Sequence, residues 1–170
     1  DCSLILKKRG ELMNNAVTPN ETGMAALIGK ESYVIQNIID KYNLNIEIAN
    51  DNSNIQIVIS GEVNELKKSK EIFINNGIKK FVILNVSAAF HSKYMLEAQN
   101  ELSNDIENLM FKDSKIKIIS NYDANVHSDN KIIKKNLQNQ MANKVNWTQS
   151  VRKLDELGEH KIIEIGPNKV

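Results

Sequence analysis

Cysteine is almost absent: Cys2 is the only one in 170 residues, which excludes an internal disulfide and most cysteine-built metal sites. A reducing, cytoplasmic setting agrees with that. Proline is scarce at two residues, and no Pro- or Gly-rich linker, repeat or low-complexity segment divides the chain. No apolar run approaches the ~20 residues that a membrane helix needs, and no signal-peptide pattern opens the chain. Charge of one sign is missing too. Lys and Arg number 22 against 21 Asp and Glu, so no global field draws the chain to nucleic acid or to a membrane surface.

What is present is ordinary globular material. Hydrophobic residues make up 41% and charged residues 25%, enough for one domain or two small lobes with a real core. The stretch Phe81 to Met95 stands out. It opens as an apolar, β-branched run that reads as a buried strand. At Ser87-Ala88-Ala89 it turns to small residues, which let the backbone approach something closely. His91 follows, and then Tyr94, Met95, Ala98 and Leu102 at helical spacing. A histidine between a strand end and a helix start is where α/β proteins place working groups. The plainer alternative is a histidine hydrogen-bonded at a helix N-terminus.

Read in order, Leu4 to Ala16 predicts an amphipathic helix carrying Arg9 beside Gly10. A helix-borne arginine is commonly a solvated charge; the sharper reading is a planar fork that grips a carboxylate. Met24 to Ile28 predicts a strand, Glu31 to Tyr42 a helix, and Ile46 to Ala49 and Ile55 to Ile59 two strands joined by an Asn-rich turn. Glu62 to Asn76 predicts a second helix and Phe81 to Val86 a fourth strand. The order β-α-β-β-α-β is the ferredoxin-like motif, expected over residues 23–86. Beyond His91 the pattern gives a helix over Lys93 to Met110, a strand over Lys115 to Ser120 and a Lys-rich helix over Asn130 to Met141. A helix over Ser150 to Leu157 and a last buried strand over Lys161 to Ile165 complete it. Such alternation suggests the rim of a larger parallel sheet. Trp147 is expected in the core, and His127 and His160 at the surface with no metal spacing between them. Cys2 has no partner in view.

Several stretches together resemble the malonyl-CoA:acyl-carrier-protein transacylase family. They are Lys8 to Met13, Gly23 to Gly29, Asn50 to Ser53 followed by Gln56 to Gly61, Val86 to Ser92, Val145 to Val151, and Glu164 to Pro167. They run in the family's order over essentially the whole chain. The resemblance implies an α/β-hydrolase-like lobe, here residues 1–22 and 87–170, into which a ferredoxin-like small lobe, residues 23–86, is inserted. It also implies transfer of a malonyl group from malonyl-CoA to the phosphopantetheine thiol of acyl carrier protein, in fatty acid biosynthesis, through an acyl-serine.

Residue by residue, the resemblance makes His91 the general base toward that serine. Arg9 becomes the holder of the free malonyl carboxylate, and Gln140 the residue whose main-chain carbonyl orients the histidine. Lys79 and Lys80 become candidates for docking the acidic carrier protein, beside the plainer reading of a solvated pair. It implies no permanently bound cofactor, malonyl-CoA as substrate, no metal, no nucleic-acid or membrane partner, and a monomer in the cytoplasm. The family's nucleophile sits in Gly-His-Ser-x-Gly, about two dozen residues before the arginine. No Gly-x-Ser-x-Gly occurs in these 170 residues, so the chain is expected to be a fragment lacking the nucleophile region, inactive by itself. Asn54-Ile55 replaces the family's usual Pro-Gly, and Lys144 stands where proline is common. A non-enzymatic module binding carrier protein or acyl-CoA is the alternative; a ferredoxin-like regulatory domain would leave Arg9 and His91 unexplained.

Overall fold

A computed structural model describes residues 2–18, 20–158, 161–163 and 165. Helix α1 spans Cys2–Asn15. There follow β1 Thr22–Ile28, α2 Ser32–Lys41, β2 Ile46–Ser53, β3 Gln56–Glu62, α3 Val63–Asn75 and β4 Lys80–Ile83. The β-α-β-β-α-β order expected from the sequence is thus the order found. The four strands form one antiparallel sheet in the order β2-β3-β1-β4.

Alternation along the strands explains the packing. Ala25, Leu27, Ile57 and Ile59 face one side and join Ile35, Ile38, Ile39, Leu66 and Phe73 from α2 and α3. Burying Leu66 and Phe73 completely contributes about 1.5–3 kcal/mol each. Met24, Ala26, Ala49 and Val58 face the other side, with Leu84 and Phe90 packed against them. The central strand β1 is therefore covered on both faces.

The fourth strand is shorter and less buried than its sequence suggests. It lies at an edge of the sheet, pairing with β1 alone. Phe81 is buried, whereas Val82, Ile83 and Val86 are exposed. The turn between β2 and β3 is also tighter. Asn50 to Ser53 belong to β2, Ser53 pairs with Gln56, and only Asn54 and Ile55 make the turn. Two register irregularities absorb the polar run without breaking the ladder.

After β4 the chain turns through Lys93–Met95, a single 3₁₀ turn, into α4 Leu96–Glu107. Short strands β5 Ile118–Ile119 and β6 Val126–His127 pair antiparallel, then come α5 Asn130–Asn139 and α6 Trp147–Glu156. A second core joins α1, α4 and the segment after α5 through Met13, Met95, Leu102, Ile106 and Met141. Lys8 pins α1 to α4 from outside, 2.7 Å from Asp105.

The rim of a parallel sheet does not form among the described residues, where one isolated bridge, Asn50 to Val145, is parallel. The Ser114 hydroxyl donates to Ile116 O at 2.6 Å and folds the backbone on itself, which shortens the strand expected over Lys115 to Ser120. α4 stops before Met110, where the Asn108 side chain turns back to Asn104 O at 2.9 Å. Residues 161–163 and 165 form no strand, and Ile162, Ile163 and Ile165 are exposed for want of a neighbouring strand among the described residues. Trp147 is 53% exposed rather than a core anchor, and Leu4 is exposed on the outer face of α1. His160 and the Gly166-Pro167 end lie outside the described residues.

Candidate functional site

His91 is placed by its small neighbours. Ala88 and Ala89 are fully buried, and the Ala89 N–H donates to Thr22 Oγ1 of β1 at 3.0 Å. Larger side chains there would hold the segment away from the sheet. The buried Ser92 hydroxyl then donates back to Ala89 O at 2.6 Å. Between these anchors His91 takes φ +56°, a left-handed conformation that a non-glycine residue rarely adopts. The backbone itself aims the imidazole.

Its partner comes from the end of α5. Gln140 O lies 3.3 Å from His91 Nδ1. The turn carrying Gln140 is held on α4 by Gln99, whose buried Oε1 accepts from Ala142 N at 2.9 Å. It is held on β2 by Val145, whose N–H donates to Ala49 O at 2.8 Å and whose O accepts from Asp51 N at 2.9 Å.

Arg9 arrives from α1. Its Nη2 donates to the side-chain Oε1 of Gln140 at 2.8 Å, and Gln140 Nε2 lies 3.3 Å from His91 Nδ1. The guanidinium and the imidazole therefore meet on a single amide, although the residues are far apart in sequence. Arg9, His91 and Gln140 are each half-buried. Burial pulls Arg9 below its usual basicity. Burial also lowers His91, with the Arg9 charge acting in the same direction and the main-chain groups of Gln140 and Asn143 against it. The result is an imidazole that is neutral at pH 7 and able to accept a proton.

His91 opens onto a cleft of about 680 Å³ between α2, β2 and the start of α6, with Glu47, Asn143, Lys144 and Arg152 in its wall. Arg9 is not among the residues lining it. The two groups thus meet through Gln140 rather than across that cleft. Lys79 and Lys80 lie apart from both, exposed at the start of β4. Among the described residues no three His, Cys, Asp or Glu side chains cluster as a metal site would need, and no helix is long and apolar enough to cross a membrane.

The sequence did not foretell the side-chain role of Gln140, the anchors Gln99 and Thr22, or His127. That last residue is half-buried in β6 with its Nε2 2.8 Å from Asp123 Oδ2. A His and an Asp spaced by four residues across a tight hairpin was the available signal.

The α/β chain thus brings a neutral imidazole and an arginine fork to one amide, groups able to accept a proton and to bind an anion. The chain belongs to the acyl transferase domain family, whose profile matches residues 1–170. Among its relatives is the polyketide biosynthesis protein PksE of Bacillus subtilis (strain 168), 41% identical over 169 residues, 98% of this chain and 21% of that protein. The malonyl CoA-acyl carrier protein transacylase of the same organism is 36% identical over 174 residues, covering 100% of this chain and 55% of that enzyme. The crystal structure of an acyl carrier protein S-malonyltransferase from Vibrio cholerae O1 biovar eltor superposes with TM-score 0.91 at 30% identity, over 97% of this chain and 55% of that one. The chain spans about half, or less, of the length of these proteins.

Proposed function

We propose that this chain supplies the general base and the carboxylate clamp of an enzyme that moves a malonyl group from malonyl-CoA to the phosphopantetheine thiol of an acyl carrier protein. The observation that carries it is the convergence of Arg9 and His91 on Gln140. The malonyl-transferring activity by which the Bacillus and Vibrio relatives are named supports the same reading. In this reading residues 23–86 are a ferredoxin-like small lobe, inserted in an α/β-hydrolase-like lobe to which residues 1–22 and 87–170 belong. The enzyme works as a monomer in the cytoplasm.

The chemistry follows from the groups. With Nδ1–H donating to Gln140 O, the other ring nitrogen of His91 takes the proton of a serine hydroxyl as its oxygen attacks the thioester carbonyl. The imidazolium then returns the proton to the departing coenzyme A sulfur. The carrier thiol reverses both steps. That serine belongs to a segment outside these 170 residues, so the chain by itself transfers no malonyl groups. Arg9 grips the free carboxylate with two N–H groups, and an acetyl group would leave that half-buried cation with the neutral Gln140 amide in place of an anion. Lys79 and Lys80 offer the acidic carrier a landing point on the edge strand.

The test is a comparison of substrates in an enzyme that joins this chain to a nucleophile-bearing segment. Arg9→Ala is expected to lower kcat/KM for malonyl-CoA about 100-fold, equivalent to ~3 kcal/mol, while sparing acetyl-CoA. An equal loss for both acyl groups would remove the clamp. On the chain alone, calorimetry is expected to show malonate binding that Arg9→Ala abolishes.

A further inference from the structure

The geometry points to the Gln140 side chain as a positioning residue that makes the tautomer of His91 depend on what Arg9 holds. The inference rests on the proposed clamp and goes beyond it, since it links the clamp to the base.

Gln140 meets the imidazole twice, through its main-chain O and its side-chain Nε2, each 3.3 Å from Nδ1. Arginine has only donors. The amide end 2.8 Å from Arg9 Nη2 must therefore be the oxygen, and the NH₂ end is turned toward His91. A neutral imidazole carries one proton. If Nδ1 holds it, the main-chain carbonyl accepts it, but the amide N–H then faces another donor. If Nδ1 is bare, it accepts from the amide and the proton sits on Nε2, but the main-chain carbonyl oxygen then faces a lone pair.

With Arg9 resting on Gln140, the amide therefore offsets the pull of the main-chain carbonyl and shifts the balance toward the tautomer whose second nitrogen is already protonated. That tautomer cannot act as the base. A carboxylate on Arg9 competes for the same guanidinium N–H groups and leaves Oε1 without its donor. The amide is then free to turn away. Nδ1–H donates to the main-chain carbonyl, and Nε2 becomes the basic atom. The only covalent change is exchange of one proton with solvent, off Nε2 and onto Nδ1. An acyl group without a carboxylate leaves the amide where it is, so selection acts on proton transfer as well as on binding.

The experiment is ring-nitrogen NMR on the 170-residue chain carrying ¹⁵N-histidine, with the His91 signals assigned from a His91→Gln variant. Without ligand the neutral ring is expected to hold a measurable share of the Nε2–H form. Saturating malonate is expected to convert it to the Nδ1–H form, and acetate to leave it unchanged. Gln140→Ala keeps the main-chain carbonyl and is expected to show Nδ1–H throughout, with no response to malonate. Calorimetry on the same samples separates the two ways of failing. Malonate that binds through Arg9 without altering the tautomer overturns the inference and spares the clamp. So does a Gln140→Ala chain that still switches. Malonate that fails to bind, or binds equally to Arg9→Ala, overturns both. The unsubstituted series decides alone if Gln140→Ala does not fold.

Discussion

The Thr148 hydroxyl donates to Asp51 Oδ1 at 2.6 Å, joining β2 to the first turn of α6. The other carboxylate oxygen accepts from Gln149 Nε2 at 3.1 Å. Asp51 is only 3% exposed, and it lies where the unpaired N–H groups of a helix start favour negative charge. Asp51→Ala is expected to lose about 3 kcal/mol in urea unfolding, and Thr148→Val about 1–2 kcal/mol. A double variant losing the full sum would show that the two groups do not interact.

The charge state of His91 gives a second expectation. Its pKa lies below the usual 6.5, first because of burial and then because of the Arg9 cation. Arg9→Ala should raise it in an NMR titration, yet not as far as 6.5, since burial persists. As pH falls, the unfolded chain takes the proton first. The contribution of the neutral ring to stability is therefore complete above about pH 6.5 and is lost as pH falls through the folded value. His91→Gln should flatten that part of the stability profile; an unchanged slope would contradict the assignment.

A third concerns the hairpin of β5 and β6. Burial tends to raise the Asp123 carboxyl, but bonds from Asn125 N, His127 and Asn136 outweigh it and hold it below 3.8. Such a group stabilises the fold above its unfolded pKa and stops doing so as pH falls through the folded one. His127→Ala should move Asp123 upward and start acid unfolding at a higher pH. Circular dichroism against pH measures this, and identical midpoints would deny the bond a role.

Two glycines should respond oppositely to alanine. Nothing lies within 4 Å of a Cβ added at Gly10 on α1, so Gly10→Ala is expected to stabilise the chain by about 0.5–1 kcal/mol. Gly29 has φ +117°, and its added Cβ would lie 2.9 Å from Lys79 Cγ. Gly29→Ala is expected to destabilise by more than about 1 kcal/mol. Thermal melts of the pair decide it.

The elements best read from the sequence are those whose apolar spacing is decided locally. Ile35, Ile38 and Ile39 mark the inner face of α2, and β1 is bounded by Gly29. Where neighbours decide, the reading failed. Phe81 to Val86 looks like a buried strand, but burial depends on what lies beyond an edge, which composition does not state. Arg9, His91 and Gln140 were legible as separate residues through the family resemblance. Their joint contact was not, because no spacing rule reaches from α1 to the end of α5.

The left-handed backbone at His91 has a last consequence. A position that accommodates glycine most comfortably is occupied by a residue whose ring opens onto the cleft, so in the proposed enzyme folding and chemistry make opposing demands there. Exchanging it for glycine rather than alanine would relax the chain as well as remove the proposed base. Selection for robustness alone would thus erode this site first, and its persistence in a lineage would be a record of use.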